Sequence, residues 1–73
     1  MRRSEFDRAV AHEFGERSAA LVADLFLSDL GNRTAEQALK DGEQARAVWL
    51  ALCAEMDVPE ERRHGAGRLE PRR

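Results

Sequence analysis

Apolar residues fall at helical spacing in four successive blocks of this chain. Phe6, Ala9, Val10 and Phe14 lie on one face of a helix predicted over about 5–14. Ser4 is its expected N-cap, and Gly15 can take the left-handed conformation that ends it. The second block predicts a helix over 17–30, closed by Gly31-Asn32. Leu21, Val22, Leu25 and Phe26 form one of its apolar faces. Ala19, Ala20, Ala23, Leu27 and Leu30 form another. A helix apolar nearly all round is a buried one, so this helix is expected at the centre. Thr34-Ala35-Glu36-Gln37 has the capping-box pattern and opens a short helix over 34–41, ended by Gly42. The fourth helix, 44–56, is the cleanest. Ala45, Val48, Trp49, Leu52, Cys53 and Met56 keep to one stripe, with Leu50 off it. Asp57-Val58-Pro59 breaks it, and Pro59-Glu60-Glu61 can open one last turn through Arg63.

Residues 64–73 carry two Gly, one Pro and a single large apolar residue, Leu69, and read as a disordered Arg-rich tail. No run alternates with period two, so no strand is expected. The predicted fold is all-α: a compact bundle of four short helices, with one domain over 1–63 and Trp49 in its core.

Composition narrows the picture. The chain has 73 residues. Leu, Val and Phe total fifteen and Ile is absent. A core so small makes partner binding or self-association a natural expectation. No apolar run approaches the roughly 18 residues of a membrane span, and no signal-peptide stretch follows the first residues. One cysteine makes no internal disulfide. The expected location is cytoplasmic. Arginine outnumbers lysine eleven to one, a bias that fits GC-rich codons and a bacterial source.

Little in the sequence points to chemistry. His12, Cys53 and His64 show no metal-ligand spacing. Cys53 shares its stripe with Trp49 and Met56, an apolar setting that suits a packing thiol rather than a nucleophile. The five glycines are scattered and form no phosphate loop. Neither catalytic residue, metal nor cofactor is expected, and no small-molecule substrate is evident.

Two binding readings remain. Thr34, Ala38, Gly42 and Val48 have the spacing of a helix-turn-helix, which places Gln44 and Arg46 at the start of a reading helix and adds Arg62 and Arg63 from the basic end. Residues 34–57, however, carry a net charge of −3, whereas phosphate binding needs a basic footprint. A small DNA-associating protein is therefore the alternative. The preferred reading is a non-enzymatic protein-interaction or accessory module, binding an unknown protein or a second copy. Its contact residues would be Ala20, Ala23 and Leu27 on the second helix, together with Leu50.

Several strings carry a resemblance. Ser4-Glu5-Phe6, Glu13-Phe14-Gly15, Leu30-Gly31-Asn32-Arg33-Thr34, Ala38-Leu39, Gly42, Val48 to Cys53 and Asp57-Val58-Pro59 resemble the domain-of-unknown-function family three-zero-four-six, a family of short actinobacterial proteins. The resemblance covers about residues 1–63. The chain departs from the family pattern at Arg3, where Leu is usual, and at Asp7, where Trp is usual. It also departs at Glu43, where an apolar residue is usual, and at Ala23, which is usually more polar. The family implies no activity, ligand or catalytic residue.

Overall fold

The computed structural model describes residues 1–63. Five α-helical segments run in the order α1 (Arg3–Phe14), α2 (Ser18–Asp24), α3 (Ala35–Lys40), α4 (Ala45–Glu55) and α5 (Glu60–Arg63). A 3-10 turn, Gly15–Arg17, joins α1 to α2. Between α2 and α3 lie two short strands, β1 (Phe26–Leu27) and β2 (Arg33–Thr34), around a 3-10 turn at Ser28–Leu30. The expected all-α architecture holds, with this small antiparallel ribbon added to it.

The first helix starts earlier than Ser4 suggests. Arg2 is its N-cap, and the Glu5 carboxylate accepts the Arg2 amide at 2.7 Å. A carboxylate makes a stronger cap bond than a hydroxyl, so Glu5 sets the boundary and Ser4 lies exposed inside the helix. That hydrogen bond also holds the Glu5 carboxyl below its ordinary pKa. From there the pattern is as read: Phe6, Ala9 and Val10 are buried.

The second helix is the main correction. It ends at Asp24, not at residue 30, and none of its residues is buried. Leu25 turns extended (φ −80°, ψ 124°), and Phe26 and Leu27 then alternate out and in. Phe26 pairs with Thr34 and Leu27 with Arg33. Two tertiary demands override the local helical pattern. Leu27 is fully buried among core residues from α1, α3 and α4. Ser28 is held by α4, with its amide and hydroxyl both donating to Glu55 Oε1, at 3.3 and 3.1 Å. An unbroken helix would carry Leu27 and Ser28 away from both partners.

The central element is therefore α4. Val48, Trp49, Ala51, Leu52 and Cys53 are buried in it, and they form one cluster with Phe6, Ala9, Val10, Leu27, Ala35, Ala38 and Val58. The Phe14 ring meets Trp49 edge-on, centroids 6.5 Å apart. The indole N–H of Trp49 donates to the carbonyl of Arg63 at 2.7 Å, which fastens α5 over the core. A buried indole needs such a partner.

Both ends of the α3–α4 hairpin use the same stop. After α3, Gly42 is left-handed (φ 98°); its amide donates to Leu39, and that of Glu43 to Ala38. After α4, Asp57 is left-handed (φ 57°), and Asp57 and Val58 donate to Ala54 and Cys53. These are Schellman motifs, and Val58 supplies the buried apolar contact that accompanies the second. Thr34 caps α3 as its pattern predicts, its hydroxyl accepting from Gln37 at 3.1 Å. The Gln37 side chain reaches forward to Asp41 rather than back to Thr34.

Trp49→Ala is expected to cost about 3–5 kcal/mol by truncation of a buried aromatic side chain, measured by urea unfolding. Asp57→Gly is expected to raise the unfolding midpoint. Glycine carries no Cβ penalty at a left-handed position, a gain of about 0.5–1 kcal/mol.

Candidate functional site

The residues picked out by sequence for partner binding separate in space. Leu27 is fully buried and belongs to the core, so it is not a contact residue. Leu50 is half-buried and packs against the core cluster. Ala20 and Ala23 are exposed on α2.

Beside Ala23 lies an open groove of about 320 Å³. Its lining comes from three helices: Asp7 and Val10 of α1, Ser18, Ala19, Val22 and Ala23 of α2, and Glu36 of α3. Val10 is part of the core, so the groove floor continues into it. Short side chains explain the hollow: Ala19 and Ala23 are one helical turn apart and leave the α2 backbone approachable. Phe26, 63% exposed, stands two residues beyond the end of α2, and its strand partner Thr34 caps α3. Single-sequence periodicity placed Phe26 on a buried helical face. Once the helix stops at Asp24, that ring becomes surface.

The residues assigned to DNA are distributed differently. Gln44 is the N-cap of α4, and it and Arg46 are exposed. Arg62 is engaged by Glu13 at 2.6 Å, a carboxylate whose side chain is only 10% exposed. Arg63 donates from Nε to the Val58 carbonyl at 2.9 Å. Both arginines thus serve to seat α5. On α4 the core takes the stripe from Val48 to Cys53, and Arg46, Ala47, Ala54 and Glu55 are left exposed.

Arg33 is a polar junction that sequence reasoning passed over. Its Nε donates to the Leu30 carbonyl at 2.8 Å, and its two terminal nitrogens meet Asp41 at 3.1 Å and Glu43 at 2.7 Å. The Glu43 and then the Asp41 hydrogen bond raise its pKa. One guanidinium thereby ties the ribbon to the α3–α4 turn, using the fork of donors peculiar to arginine. Glu43, the residue that follows the turn glycine Gly42, is one of its partners.

Cys53 is fully buried. Burial pushes its thiol up to about 11; Arg63 opposes that shift and Glu13 adds to it. That is the setting of a packing thiol, as its stripe implied. Among the described residues no three metal-ligating side chains cluster, and no helix is long and apolar enough to cross a membrane.

The site is thus a shallow apolar groove on a small helical domain. The chain matches the family model described as "Protein of unknown function (DUF3046)" over residues 1–61, and it belongs to that family. No curated protein and no solved structure matches it.

Two outcomes are expected. Cys53 should resist a thiol reagent at pH 8 in the native protein and react fully in urea. Because its pKa is higher folded than unfolded, stability should fall as pH rises from about 9 towards 11, and Cys53→Ala should flatten that slope. Arg33→Lys keeps the charge but loses the fork, so the Asn32 amide, which donates to Leu27, should exchange faster with solvent while the α4 amides stay protected.

Proposed function

We propose that this protein is a non-enzymatic interaction module that uses the groove between α1, α2 and α3 to hold a protein partner. The observation that carries this reading is the groove itself, with Ala19 and Ala23 exposed and Val22 half-buried above the buried Val10, beside the acidic Asp7 and Glu36. Concave surfaces lined by short apolar side chains suit the apolar face of a helix. Of the α2 alanines first considered, Ala23 lines this groove, and Ala20 is exposed on α2 outside the lining. Leu27 gives up its place to Val22 and Phe26. The groove is preferred to a DNA surface because its charged lining is acidic, and phosphate would be repelled there.

The test is site-directed photo-crosslinking in the source cell. A benzophenone side chain at position 23 is expected to trap a discrete protein adduct. The same group at Ala54, exposed on α4, is expected to trap none. Equal adducts from both positions, or none from position 23, would sink the proposal.

A further inference from the structure

We infer that the groove takes a cationic amphipathic helix: a partner segment with an apolar stripe bordered by Arg or Lys. This rests on the interaction reading above and adds the partner's charge. Among the described residues, the charged ones lining the groove are both acids, Asp7 from α1 and Glu36 from α3, with no Arg or Lys. Two different helices supply them, with the α2 surface of Ala19, Val22 and Ala23 completing the lining. Glu36 makes no ion pair among the described residues. Among the described residues Asp7 is met by Arg3 alone, at one oxygen, with both side chains more than half exposed (58% and 59%). An ion pair so exposed contributes little and exchanges readily for another cation. The short side chains at Ala19 and Ala23 let a helix backbone come close, which brings basic side chains on its flanks within reach of both acids. A neutral or acidic helix of the same shape would leave Glu36 unpaired, or repelled, on docking. Acidic rims therefore select by charge while the apolar floor supplies contact area.

The experiment is a nitrogen-15 amide titration of the full chain with two synthetic peptides of roughly fourteen residues, long enough to form helix. They share one Leu/Ala face and differ in carrying Arg or Glu at its borders. The Arg peptide is expected to shift the amides of Val10, Ala19, Val22 and Ala23. The Glu peptide is expected to bind at least about fivefold more weakly. The double variant Asp7→Lys/Glu36→Lys, changed only at exposed positions, should reverse that order. Equal binding of both peptides in the groove would overturn the charge assignment and leave the interaction reading standing. If neither peptide shifted groove amides, both would fall. Groove shifts that change on dilution would show a second copy already seated there. Changes on removal of residues 64–73 would show the chain's own end seated there. Either result would overturn the proposal.

Discussion

The fold depends on the burial of Trp49 with its N–H satisfied. Its ring fills the centre of α4's buried face, and α1 supplies Phe14 against its edge. The one polar atom on the indole would be costly if left without a partner. It finds one in a backbone carbonyl of α5, a four-residue helix with no buried residue of its own. Two further contacts seat that short element: Arg62 reaches Glu13 on α1, and Arg63 reaches the Val58 carbonyl at the α4 stop. The core is thus closed by polar contacts made at its margin.

Geometry around α4 follows from where the chain is allowed to reverse. Gly31 and Asn32 are consecutive left-handed residues, and the Asn32 amide reaches back to Leu27. Gly42 and Asp57 end the two following helices. These positions set element lengths more firmly than propensity does. All of them could be read from the sequence as breaks. The break at Asp24 could not, because no glycine, proline or capping residue marks it. It comes from Leu27 reaching the core and Ser28 reaching Glu55, which are contacts across the fold. One local clue to the ribbon existed: a five-residue connection containing Gly-Asn ahead of Arg33-Thr34 is compatible with a hairpin.

The same split governs the site. Periodicity found the α4 stripe, and Val48, Trp49, Leu52 and Cys53 are all buried. It found Ala20 and Ala23 as spare surface for the same reason: they repeat on a face that short neighbours do not cover. It placed Leu27 beside them because a helix was assumed to continue. Once the chain leaves helical geometry, residue spacing no longer reports which side chains share a face. Glu36 and Asp7 were invisible as groove residues, since their meeting depends on how α1 and α3 flank α2. Arg33 was equally invisible as a junction, because its carboxylate partners lie eight and ten residues away across a turn.

Trp49 is the sole tryptophan, and the chain has no tyrosine. Its indole is shielded on the ring side by the core and tethered at nitrogen to the last described turn. Intrinsic fluorescence from this protein is therefore a one-site optical signal. It reports the seating of α5 as well as global unfolding, and a release of that turn with the other helices intact would still be seen in the emission.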